Sequence, residues 1–231
     1  MKKILFNNRL FYFFYKIKKI FFSSKKKSHL GEFGEDIFVR RFFQNQHKGF
    51  YVDVGCYHPI KGSLTYILYK KNWRGLNIDL SSVSVDLFKF SRSRDFNVQA
   101  AITDFDGKTF YYENSPINQQ NSLDKNNGTK KDINAYKLNT LLEKFNIDRI
   151  DYLNIDAEGS DYKVISSFNF EKYKPQLISI EFNSYDIEKL LTSEIHTCMK
   201  KNQYILISKF GVTCFYVCKK DLDNINSFIS I

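Results

Sequence analysis

Cysteine is sparse in this chain and poorly placed for pairing. The four residues Cys56, Cys198, Cys214 and Cys218 form no CxxC pair and no disulfide framework. Cys214 and Cys218 lie four apart in an apolar run, on one face of a strand. Without a matching His/Cys set they read as buried packing cysteines, not metal ligands. Such usage fits a reducing cytoplasm. Proline is scarce (three residues) and no internal repeat is present. Nor is there an unbroken apolar run of about 18 residues, so no segment reads as a transmembrane helix. Residues 4–22, ILFNNRLFYFFYKIKKIFF, come nearest, but lysines interrupt them. No continuous apolar core or small-residue cleavage site marks a signal peptide.

Acid is absent from residues 1–31, which hold nine of the 35 basic residues. The other 200 residues balance 26 basic against 25 acidic side chains. The net charge of +10 therefore belongs to a tail, and the body is nearly neutral. A nucleic-acid partner would want a basic face on the body, and no Asn-Pro-Pro-Tyr-like base-flipping signature occurs. At helical spacing, Leu10, Phe13, Phe14, Ile17, Ile20 and Phe21 share one face of the tail, while Arg9, Tyr12, Lys16 and Lys19 share another. This pattern predicts a basic amphipathic helix. It suits an anionic membrane surface, met by residues 1–27 with Lys25-Lys26-Lys27 adding attraction. Packing of the aromatic stripe on the body or a partner is the alternative. The organisation expected is a basic amphipathic segment over 1–30 and one domain over 31–231, cytoplasmic or peripheral on the inner face of the membrane.

With 43% hydrophobic and 26% charged residues, the body has the composition of one globular domain. Apolar runs and helical patterns alternate along it. Strands are predicted over Phe50–Val54, 75–79, 97–103, Tyr152–Ile155 and 177–182. Helices are predicted over 35–47, 64–71, 83–90, 138–145, 162–168 and 187–200. Asp104-Phe105-Asp106-Gly107 reads as a tight turn returning the third strand as 109–112. Residues 113–131, polar and rich in Asn and Gln, read as one long loop, and 204–208 with Thr213–Cys218 as a terminal hairpin turned at Lys209-Phe210-Gly211. Such alternation implies an α/β fold with a mostly parallel, doubly wound sheet and one antiparallel hairpin.

Ligands of open α/β sheets bind beyond the carboxyl ends of the strands. The first strand ends Asp53-Val54-Gly55-Cys56-Tyr57-His58-Pro59. The dinucleotide pattern GxGxxG is absent, which makes a pyrophosphate cradle a poor fit. A cofactor without phosphate but with an amino-acid end fits better, its ammonium met by Asp53 above the tight turn at Gly55. The second strand ends at Asp79, followed by Leu80, where a carboxylate can accept from both hydroxyls of a ribose or cap the next helix. The fourth ends Asn154-Ile155-Asp156-Ala157-Glu158-Gly159, placing two carboxylates at the lip, either able to take a proton from a substrate hydroxyl. Glu181 and Asn183 end the fifth. His58 is a competing base, with a suitable ordinary pKa. No ligand spacing supports a metal.

Six motifs in order, GEDIFVRRFF, GFYVDVGCYHPIKGSLT, NWRGLNIDLS, AAITDFDGKTFYY, KLNTLLEKFNIDRIDYLNIDAEGSDYKVI and PQLISIEFN, resemble the FkbM family of S-adenosylmethionine-dependent methyltransferases. The resemblance covers roughly residues 31–183. It implies a Rossmann-like class I methyltransferase fold and S-adenosyl-L-methionine as cofactor. It implies a cofactor site made by the segment at Asp53–Pro59, which contains Gly55 and Cys56, by Asp79 with Leu80, and by Asp156. Ala100-Ala101-Ile102 would lie beside the adenine. The family's Lys-Ile-Asp-x-Glu-Gly is here Asn154-Ile155-Asp156-Ala157-Glu158-Gly159, so Asn154 replaces its lysine. Ser63-Leu64-Thr65 replaces a frequent Ser-Asn-Thr, and the Gln that often precedes Gly34-Glu35-Asp36 is missing. Many members resemble O-methyltransferases of sugars, so the reaction expected is methyl transfer to a hydroxyl of a small-molecule or glycan acceptor, with Asp156 or Glu158 as base. The competing class is a non-catalytic, membrane-associated scaffold on a degenerate fold, which the acids at three strand ends disfavour.

Overall fold

A computed structural model of the chain describes residues 9–22, 30–115, 121–123 and 128–222. Seven strands form one sheet in the order β3-β2-β1-β7-β8-β10-β9: β1 (Phe50–Val54), β2 (Arg74–Asp79), β3 (Phe96–Gln99), β7 (Tyr152–Ile155), β8 (Leu177–Glu181), β9 (Tyr204–Phe210) and β10 (Thr213–Cys218). The first five run parallel, and β10 is antiparallel to both β8 and β9. The chain runs outward from β1 through β2 to β3, then restarts at β7 on the other side of β1. Strand order therefore reverses between β1 and β7, the place where such sheets open a crevice.

The period-two alternation of the strands sorts their side chains onto two faces. Val52, Val54, Leu153, Ile155, Ile178 and Ile180 pack on one side with helices α5 (Leu138–Lys144), α6 (Asp161–Ser166), α7 (Ile187–Leu191) and α8 (Glu194–Lys201). Tyr51, Tyr152, Leu177, Phe215 and Val217 pack on the other with α2 (Glu35–Phe42) and α3 (Tyr66–Lys70). Trp73 is fully buried there, its ring against Gly49 and edge-on to Phe43 at 4.8 Å. Helix α4 (Ser82–Ser91) follows β2 and is capped by Ser81, whose hydroxyl accepts from Ser84 N at 3.2 Å. Helix α1 (Arg9–Ile17) precedes all of these and continues as a wider helical turn over Lys18–Phe22.

Four expectations need correction. The third strand is not continuous over 97–103. β3 leaves the large sheet at Ala100, and β4 (Ala101–Ile102) joins a separate three-stranded sheet of order β4-β6-β5. β5 (Gly107–Glu113) does not return along β3 either; it pairs with β6 (Thr129–Tyr136), from Gly107↔Ala135 to Glu113↔Thr129. Part of the expected 113–131 loop is thus strand. Its strand residues 129–131 looked like loop because they are polar and none of them is buried. Residues 116–120 and 124–127 of that loop lie outside the described residues. Lastly, the helix expected over 187–200 is two. Ser193 breaks it, accepting from His196 N at 3.1 Å to cap α8 and donating to Leu190 O at 2.7 Å.

Candidate active site

The crevice at the reversal is a cleft of about 360 Å³, within the usual range for ligand sites. Its floor is the junction of β1 and β7. Gly55 has φ +76°, and a Cβ there would lie 1.7 Å from the carbonyl oxygen of Asp156. Only glycine lets the two strand ends approach so closely. Cys56 follows it in the lining, with its amide bonded to Ile78 O at 3.1 Å.

Asp53 is buried, and both its oxygens are engaged. Thr65 donates its hydroxyl at 2.6 Å and Asn154 its amide at 2.9 Å. The amide that replaces the family's lysine is thus a direct partner of Asp53, and its own oxygen accepts from Ser179 at 2.5 Å. Burial raises the Asp53 pKa, while the bonds from Thr65 and Asn154 and the nearby Arg92 oppose the rise. Arg92, fully buried, donates to Pro59 O, to Ser63 Oγ at 2.6 Å and to Thr65 Oγ1 at 2.7 Å. Its guanidinium reaches Asp53 through Thr65, and Asp95 through Tyr51, whose hydroxyl donates to Asp95 at 2.5 Å. One buried cation therefore ties down the whole 57–65 loop under the cleft.

Asp79 ends β2 and lines the cleft. It accepts from Tyr57 N at 2.7 Å and Ser81 N at 2.8 Å, leaving further acceptor capacity on each oxygen. It does not cap α4, since Ser81 holds that position. Burial pushes its pKa up to about 6 against those hydrogen bonds. Leu80, Ala100 and Ile102 line the same end of the cleft. Ala101 does not: strand alternation turns it away, into the small sheet's core with Tyr111, Ile133 and Ala135. Asn121 and Leu123 add a wall from beside that sheet.

Asp156 and Glu158 both line the cleft at the end of β7. Their loop is closed by Asp161, which accepts from Ala157 N at 2.8 Å and Gly159 N at 3.1 Å. Asp156 opens to the cleft, yet loss of water to the surrounding protein and the negative charges of Glu181, Asp161 and Glu158 raise its pKa above the usual carboxylate range. Glu181, Asn183, Val212 and Thr213 form the far rim, and Glu32, Phe33 and Glu35 fold over from the approach to α2. Glu35 accepts from Phe33 N at 2.9 Å, and Asp36 from Leu30 N and Gly31 N, each at 3.0 Å. The Gly-Glu-Asp motif is thus the clamp of this turn.

His58 is not brought to the cleft. It is buried in the 57–61 turn, where Nδ1 accepts from Ile60 N at 3.1 Å and Lys61 N at 2.9 Å, and Nε2 lies 3.3 Å from Lys19 O. Burial lowers its pKa to about 4, so it stays neutral and shapes the loop. Sequence reasoning missed Glu32 and Phe33 in the lining and Arg92 beneath it. The acid-Gly pattern that exposed Asp53 has no counterpart for a lone arginine two elements away. Among the described residues, no group of three His, Cys, Asp or Glu side chains is arranged to hold a metal. Seven carboxylates line the cleft, those of Glu32, Glu35, Asp53, Asp79, Asp156, Glu158 and Glu181, and its described lining includes no Lys, Arg or His.

The sheet and its crevice define an α/β domain with a cleft at the carboxyl ends of β1, β2 and β7, where ligands of such sheets bind. The chain matches the model of the methyltransferase FkbM domain over residues 53–206 and belongs to that family, whose general chemistry is methyl transfer. No curated protein matches it.

Proposed function

We propose that this protein transfers the methyl group of S-adenosyl-L-methionine to a hydroxyl oxygen of a sugar or glycoconjugate, on a Rossmann-like class I methyltransferase fold. The carrying observation is the cleft at the strand reversal, lined by seven carboxylates. A dense set of acids fits a cofactor with an ammonium and a sulfonium, and the lack of GxGxxG fits one without phosphate. Asp53 and Gly55 would hold its amino-acid end and Asp79 its ribose hydroxyls; Leu80, Ala100 and Ile102 are apolar enough to flank its base. Bound there, the cofactor would supply an electrophilic methyl group.

The chain's part is to position the acceptor and take its proton. Asp156 is the base favoured here. A carboxylate whose pKa is raised by desolvation and neighbouring acids takes a proton more readily than an ordinary one. Asp156 would take the proton of the acceptor hydroxyl as its oxygen is methylated. Glu158, Glu181 and Asn183 at the rim, with Asn121 opposite, offer the acceptors and donors that a polyhydroxylated substrate needs.

Titration calorimetry with S-adenosylmethionine, followed by an acceptor screen with cofactor labelled in the methyl group, tests this reading. Expected are saturable binding and label on an oxygen of a glycan. No binding heat from folded protein would overturn it. Binding without transfer to any hydroxyl acceptor would favour a non-catalytic scaffold.

A further inference from the structure

Helix α1 meets the body through its polar side. Tyr12 donates to Asp86 of α4 at 3.0 Å, Lys16 Nζ sits 5.3 Å from the centre of the Phe90 ring, and Lys19 O faces His58. Ile20, in the turn that follows, is buried. The N-terminal part of the apolar stripe is left outside, with Leu10 66% exposed, Phe13 45% and Phe14 58%, whereas Ile20 at its other end is the buried one. Phe13 also meets the exposed Phe90 edge-on at 6.2 Å, which extends the patch onto α4. Packing on the body accounts for Ile20 and one edge of Phe13 but not for Leu10 and Phe14, which stay exposed while Tyr12 and Lys16 hold the helix.

We propose that this outer face of α1 docks on an anionic membrane surface. Large exposed apolar patches on a soluble domain mark interaction sites, and the charge selects the partner. Arg9 and Lys18 are exposed on the same helical segment, and residues 1–31 as a whole hold nine basic residues and no acid. A protein partner would need a strongly acidic apolar groove, whereas an anionic bilayer offers acid and hydrocarbon together. Aromatic side chains enter the headgroup boundary while basic ones stay at the phosphates. No helix among the described residues is long and apolar enough to cross a membrane, so the contact is with the surface. Lys16 and Tyr12 keep the helix on α4, and Lys19 holds it to the 57–61 turn, whose Tyr57 lines the cleft. The docked surface would thus lie one loop away from the cofactor site.

The test is co-sedimentation of the full chain with vesicles of phosphatidylcholine containing about one third phosphatidylglycerol, and with phosphatidylcholine alone. The full chain should pellet with the anionic vesicles at low salt and release at high salt, where the Debye length falls to about 3 Å. Leu10→Ser/Phe14→Ser should lower the bound fraction about tenfold or more with an unchanged melting temperature, because both side chains are exposed. No pelleting at low salt, or equal pelleting of the double variant, overturns the proposal. So does a dimer in solution that the double variant abolishes, in a protein that ignores vesicles; the face would then belong to a second copy.

Discussion

At the scale of single residues, Asp79 and Asp156 carry the sharpest expectations. Asp79→Ala removes an acceptor aimed at the cleft, and should weaken S-adenosylmethionine binding by about 1–3 kcal/mol, read by calorimetry. Because burial places the Asp79 pKa at about 6, affinity for a cationic cofactor should rise as pH increases from 5 to 7, when the carboxylate ionises, then level off. Asp79→Asn should flatten that rise. The stability of the ligand-free protein runs the other way. A carboxyl with a raised folded pKa contributes most below its ordinary value of 3.8, and that contribution is lost as pH climbs through about 6. Asp156→Asn should lower turnover by about 10²–10⁴-fold with little change in cofactor affinity, measured by label transfer and calorimetry together. Retained turnover in this variant would pass the role to Glu158. These acids were legible in the sequence because each directly follows an apolar strand. The position of His58 was not, since nothing in its neighbours shows that two backbone amides would claim its ring.

At the scale of elements, the parallel strands were plain because Phe50–Val54 and Tyr152–Ile155 are short apolar runs ended by Gly55 and Asp156. The small sheet was hidden. Ala101-Ile102 and 109–112 were read as strand, but β6, which buries only alternate side chains, was not, so their pairing partner was missing. Arg92 was hidden for a different reason. It binds the 57–65 loop from the end of α4, and that pairing exists only in three dimensions. Arg92→Met should lower folding stability by at least about 3 kcal/mol, as Pro59 O, Ser63 and Thr65 lose buried donors. Arg92→Lys should recover only part of this, because an ammonium cannot reproduce the guanidinium fork. Urea denaturation distinguishes the three proteins. Gly55→Ala should cost at least about 2 kcal/mol in the same assay, from its left-handed backbone and the contact with Asp156 O.

At the scale of the whole molecule, the sequence announced a charge division, and the structure places its two ends. A basic helix lies against α4, while the strand ends gather acid around a cleft. A chain beginning at Ser28 should keep its sheet by circular dichroism. It should lose the Tyr12–Asp86 and Ile20 contacts, lowering the melting temperature by roughly 2–8 °C. Collapse of the fold on truncation would instead make α1 part of the core. The acid of the cleft bears on turnover as well as binding. In the proposed reaction the reagent arrives carrying a sulfonium charge and departs as an uncharged thioether. A pocket that grips by charge therefore loosens when the methyl leaves, and the spent cofactor is the weaker competitor. Added salt should erode this discrimination, bringing substrate and product affinities closer together and slowing the exchange of one for the other.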